Sequence, residues 1–122
     1  MTHERGARRN GPPGERYGRL KEATRKAVLE GDGTTDRALR QAVEQRAAGL
    51  SGRAGSAEVP AELTGFVDKV ARHAYRVTRE DVEALRSAGY SQEAIFELTV
   101  SAALGAASAR LERGLAALRG EA

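Results

Sequence analysis

His73 stands beside Arg72 and two residues before Tyr75, and Glu97 follows further along the chain. These are the residue types here that can do chemistry. An imidazole at position 73 can act as a general base, assisted by the Tyr75 hydroxyl or the Arg72 guanidinium. A guanidinium can also hold a substrate carboxylate. Glu97 lies among apolar neighbours, a setting that perturbs a carboxyl and suits a subunit interface. Each residue also has a plainer use. His73 falls seven residues after Phe66, close to an apolar stripe, and can serve as a boundary residue bonded to a carbonyl or carboxylate. Glu97 can face water or pair with an arginine. Arg72, Arg76 and Arg79 can bind an anion, or simply line a solvated face at a helix C-terminus, where positive charge is favoured. The only other histidine, His3, belongs to the N-terminal tail, so no metal set and no cofactor are expected.

Composition limits the chemistry further. The chain has 122 residues and no cysteine, which excludes disulfides, thiolate metal sites and cysteine nucleophiles. Its length suits one domain with a modest core. The net charge of +3 is unevenly spread. Residues 1–26 carry eight basic and three acidic side chains (+5), and residues 27–122 carry twelve basic and fourteen acidic ones (−2). The basic segment, from Arg5 to Lys26, offers a contact for nucleic acid or an acidic partner. It has only Tyr17 among its cations and no DNA-reading signature after it, so solubilising or partner docking is the preferred use. Its arginines surround no apolar core of a secretory signal. The apolar run Ala94–Ala109 is too short and too polar to span a bilayer. A cytoplasmic protein with no membrane partner is expected.

These side chains must be positioned by helices, since strand signals are absent. Residues 1–14, rich in Gly, Pro and Arg, read as a disordered basic tail, and residues 15–122 as a single helical domain. A first helix is predicted over 15–30, with Tyr17, Leu20, Ala23, Ala27 and Val28 as its apolar stripe and Gly31 as its stop. A second covers 36–48, capped by Thr35 and ended by Gly49. GLSGRAGSAE, residues 49–58, reads as a flexible connector. Pro60 opens a third helix, with Leu63, Phe66, Val67, Val70 and Ala74 at helical spacing. In VTREDV, Thr78 caps the fourth helix, Asp81 sits at its third position, and Val77 staples to Val82. In GYSQEAI, Gly89 supplies the left-handed turn and Ser91 caps the last helix, Gln92 to about Leu118, roughly 40 Å long.

That last helix has an unusual middle. Ser101, Gly105 and Ala109 lie four residues apart on one side, and small residues at this spacing let a second backbone approach closely. The neighbour is either another helix of this chain or a helix of another copy. Glycine there costs about 1 kcal/mol of helix propensity relative to alanine, which close contact must offset. An alanine-rich core with few rings leaves a monomer short of buried area and favours self-association.

The segment VPAELTGFVDKVARHAYRVTREDVEALRSAGYSQEAIFELTVSAALGAASARLERGLAAL resembles the alkylhydroperoxidase D-like superfamily, also called carboxymuconolactone decarboxylase-like. The resemblance is carried by the order of VPAEL, VTREDVEAL, the corner SAGYSQEAIFE and the small-residue helix. It covers residues 59–118, and TDRALRQAVEQRAAG at 35–49 is weakly similar to a preceding family segment. It implies an all-α bundle of about five helices packed as antiparallel pairs, and a homo-oligomer, often a trimer or a hexamer of trimers or dimers. In the family's redox branch a CxxC is followed by a histidine, with a glutamate completing a proton relay. Here the spacing back from His73 lands on Phe66 and Lys69, so no relay role is carried over. Three functions follow as expectations. The first is a redox-dead oligomer acting through binding or assembly, with a homologous protein as one possible partner. The second is a non-thiol enzyme for a small carboxylated substrate, of decarboxylase or isomerase type. The third is a tail-mediated binder of nucleic acid or an acidic partner.

Overall fold

A computed structural model describes residues 13–121. It is all-helical, with no strand among the described residues: α1 (Pro13–Glu30), α2 (Arg37–Leu50), α3 (Ala61–His73), a 3-10 turn (Ala74–Arg76), α4 (Arg79–Ser87) and α5 (Gln92–Leu118). The chain divides into two units, one ending at Gly31 and one running from Asp32 to Ala122. Of the expected tail, residues 1–12 and with them His3, Arg5, Arg8 and Arg9 lie outside the described residues.

In the first unit α1 begins at Pro13, two residues earlier than the expected start. Its expected apolar stripe is not a buried face: Tyr17, Leu20, Ala23 and Ala27 are exposed and Val28 is half-buried. The stripe is interrupted by Arg19, Lys21, Glu22, Arg25 and Lys26, and charged side chains at that density keep a helix face in water.

The second unit is built on α2, α3 and α5. Val43 and Ala47 of α2, Leu63, Phe66, Val67 and Val70 of α3, and Ile95, Leu98, Ala102 and Ala106 of α5 form one core with Leu85 of α4. Each set recurs at intervals of three or four, the period that gathers side chains on one side of a helix. Ala74 is not part of this face, because the helix gives way to the 3-10 turn there and leaves it exposed; Ala71 is buried instead.

The local signals at the helix ends are specific. The Thr78 side chain accepts from the Asp81 N–H, and the Asp81 carboxylate accepts from the Thr78 N–H, closing a capping box. Gly89 adopts φ 103°, a left-handed value that side chains rarely tolerate. The Tyr90 N–H then bonds to the Leu85 carbonyl at 3.1 Å, and Ser91 accepts from the Ala94 N–H at 3.1 Å. The Tyr90 hydroxyl donates to Glu62 Oε1 at 2.8 Å, tying this corner to the first turn of α3. Burial, and then the facing Glu62 carboxylate, push the Tyr90 phenol up to about 12.

Two expected ends differ. Asp36, not Thr35, occupies the N-cap of α2, since the Thr35 hydroxyl is engaged by α5. At the other end α2 continues past Gly49 to Leu50, because the Arg53 N–H returns to the Ala48 carbonyl at 3.0 Å and closes the last turn.

The main helices also depart from the antiparallel pairing expected from the resemblance. Thr34 and Thr35 meet Glu97, Glu44 and Ala48 meet Gly105, and Arg53 meets Glu112. The order rises along both elements, so α2 and α5 run in the same direction. Glu62 with Tyr90, and Ala71 with Arg110, give α3 the same sense. The connector between α2 and α3 makes this possible. Ten extended residues reach about 33 Å, more than the ~21 Å of a 14-residue helix, so residues 51–60 carry the chain back. Between α3 and α5 the return is made by the 3-10 turn and the nine-residue α4.

By length and composition α5 is apolar enough to cross a membrane, contrary to the expectation from the shorter run 94–109. Half of its most apolar stretch is buried inside the fold, which is also the pattern of a central helix in a packed core.

Candidate functional site

The small-residue stretch of α5 lies on α2. Ser101, Gly105 and Ala109 are all buried. A Cβ on Gly105 would collide with the backbone carbonyl oxygen of Glu44 and lie 3.2 Å from the Ala48 nitrogen. The neighbour pressed against these residues is therefore a helix of the same chain, and backbone contact at that distance accounts for glycine in mid-helix. The hydroxyl of Ser101 turns back to the Glu97 carbonyl at 2.8 Å, so it enters the interface with its polar group satisfied.

Glu97 is the chemically most developed of the expected site residues. Its Oε2 accepts from the Thr34 N–H at 2.7 Å, and its Oε1 accepts from the Thr35 N–H at 2.9 Å and the Thr35 hydroxyl at 2.7 Å. A side chain at position 33 would come within 2.9 Å of this carboxylate, so glycine there admits it. Partial burial opposes the charge, but the Thr34 and Thr35 donors and the Arg40 guanidinium outweigh it and hold the carboxyl at about 2. Such a group stays ionised through the neutral range and has little proton affinity to offer a reaction. Its chemistry is that of a clasp, fixing the loop before α2 to the second turn of α5.

Beside the clasp, Thr34, Gln92, Glu93, Phe96 and Glu97 line an open cleft of about 440 Å³. The Phe96 ring is 68% exposed at its edge.

A second polar assembly joins the other ends of α2 and α5. Glu44 is fully buried, and its Oε2 accepts from Arg53 Nη1 at 3.0 Å. Arg53 also spans Glu112, with Nε at 3.2 Å from Oε1 and Nη2 at 2.7 Å from Oε2. The stretch expected to be a flexible connector is thus pinned to both helices through one guanidinium. Glu44, Arg53 and Glu112 were missed in the sequence because they are far apart in it; the only signal is an acid at position 44 within the apolar face of α2.

His73, Tyr75 and Arg72 do come together, at the elbow between α3 and α4, and all three are exposed. The His73 and Tyr75 rings meet edge-on with centroids 5.9 Å apart, and the Arg76 guanidinium carbon lies 5.7 Å from the Tyr75 centroid. Glu97 is not among these groups; it belongs to the clasp.

The chain matches no family model, no curated protein and no solved structure.

Proposed function

We propose that this protein is a cysteine-free, self-associating helical protein of the alkylhydroperoxidase D-like, or carboxymuconolactone decarboxylase-like, kind, acting through assembly or binding rather than thiol peroxidase chemistry. The family part of this reading rests on the order of the segments that form α3, α4, the Gly89 corner and α5. The parallel course of α2 and α5 is a departure from the antiparallel pairs that the resemblance implies. A thiol peroxidase needs a thiolate, and there is no cysteine. An acid–base enzyme finds little support, with His73 in solvent and Glu97 held ionised.

The carrying observation is the outward side of α5. A helix apolar on all sides is normally covered on all sides. Here Phe96, Ala103 and Ala107 are exposed, Val100 and Leu111 are half-buried, and Leu118 is 85% exposed. No charged residue occurs between Glu97 and Arg110, and the Thr99 hydroxyl bonds back to the Ile95 carbonyl at 2.6 Å, leaving its methyl for contact. A second copy of α5 complements this side. With two copies crossing antiparallel at Ala103, the acidic end at Glu93 meets the basic half that holds Arg110 and Arg113, and Phe96 meets Arg110 of the partner subunit. Opposite charges then face each other at both ends of the contact.

Sedimentation velocity on the full chain between 1 and 100 µM tests this reading, with those concentrations taken as about the range of ordinary subunit affinities. The expected result is a dimer or larger species that shifts to monomer in Ala103→Arg, a substitution at an exposed site whose folding circular dichroism checks. A wild-type monomer throughout, or flotation with phosphatidylcholine vesicles in place of self-association, overturns it.

A further inference from the structure

The elbow after α3 carries a separate surface. Arg72, His73, Tyr75, Arg76 and Arg79 are all exposed, and Tyr75, at 80%, is the most exposed tyrosine or phenylalanine of the described residues. None of the three arginines makes an ion pair among the described residues. Two neighbouring carboxylates are already engaged: Asp68 by Arg46 at 2.7 Å, and Asp81 by Lys69 at 2.9 Å and the Thr78 N–H at 2.8 Å. Glu80 and Glu83 follow on α4, and neither forms an ion pair with these arginines among the described residues. The carbonyl end of α3 favours a cation, and Arg110 already serves one of its carbonyls, that of Ala71, so the dipole alone does not call for three more arginines. Nor does it explain why a tyrosine ring stands in water between an imidazole and a guanidinium.

Guanidiniums without ion-pair partners around an exposed ring, one of them over its face, are the elements of a single-strand platform: cations take phosphates, and the other face of the ring takes a base. We propose that this elbow binds single-stranded nucleic acid, with Arg72, Arg76 and Arg79 on phosphates and a base stacked on Tyr75. An acidic peptide would satisfy the arginines but leave the ring in water, so the nucleic acid fits more of the surface. This site is distinct from the basic N-terminal segment and does not depend on the α5 interface.

The test is fluorescence anisotropy of a labelled oligothymidylate of about 20 nucleotides, ample for the site sizes of single-strand binders, with the full chain at stepped salt concentrations. Removing three phosphate contacts lowers the salt slope of a single strand by about 2. The triple variant Arg72→Ala, Arg76→Ala, Arg79→Ala is expected to show that drop with at least tenfold weaker binding. Tyr75→Ala is expected to weaken binding by about five- to fiftyfold with the slope unchanged. These side chains are exposed, and circular dichroism checks that each variant remains folded. Three results overturn the proposal: no binding by the wild type; equal binding by all variants, as the N-terminal segment alone would give; and loss in the triple variant but not in Tyr75→Ala, with polyglutamate competing as well as the oligonucleotide.

Discussion

Glu97 shows how the same residue reads differently by type and by geometry. By type it is a carboxylate among apolar neighbours, a setting that raises a pKa. In the fold, two backbone N–H groups and a hydroxyl converge on it and reverse the sign. The consequence for stability follows from the direction. A carboxyl lowered from 4.5 to about 2 on folding contributes stability that is complete above 4.5 and is lost as pH falls from there towards 2. Glu97→Gln is therefore expected to lower stability by about 1–2 kcal/mol at pH 7, a figure reduced for solvent screening, and to have almost no effect at pH 2. Urea unfolding at the two pH values checks it, and an equal loss at both would refute the clasp. Nothing in the sequence linked position 97 to positions 34 and 35, because a hydrogen bond across sixty residues leaves no local mark. His73, Tyr75 and Arg72 were legible as a cluster because one helix end and one short turn hold them. Their exposure was not, since it depends on where α4 and α5 leave that end.

At the scale of elements, the capped ends were the most legible, because Thr78, Asp81, Gly89 and Ser91 satisfy backbone groups within three or four residues. The glycine, serine and alanine stretch of α5 announced a close neighbour without naming it, and the neighbour is α2. Gly105→Ala inserts one methyl against the Glu44 carbonyl and the Ala48 nitrogen, backbone atoms that cannot rotate aside. The helix propensity gained, about 1 kcal/mol, is outweighed by overpacking of about 2–3 kcal/mol, so a net loss is expected by thermal or chemical denaturation. A stabilised variant would mean that α2 and α5 lie further apart than described. The α1 stripe misled for the opposite reason: its apolar residues recur at helical intervals, but its charges recur as densely, and spacing alone does not say which set wins.

For the molecule as a whole, an alanine-rich core buries little area per residue, and the outward side of α5 adds apolar surface left in water. If copies associate through that side, folding and association are linked, and the thermal midpoint rises with protein concentration, by about 2–4 °C per tenfold. Differential scanning calorimetry at two concentrations reads this directly, and an invariant midpoint argues for a self-sufficient monomer. The direction of the chain was the least legible property, because periodicity gives helix faces but no sense of travel; only the reach of the 51–60 connector permitted a parallel course. That course has an electrical consequence. Peptide moments of α2, α3 and α5 point the same way and add, so the backbone of the second unit carries a dipole along α5. A partner lying antiparallel beside it would cancel that backbone moment, and the pair would present no net peptide dipole to an approaching charge.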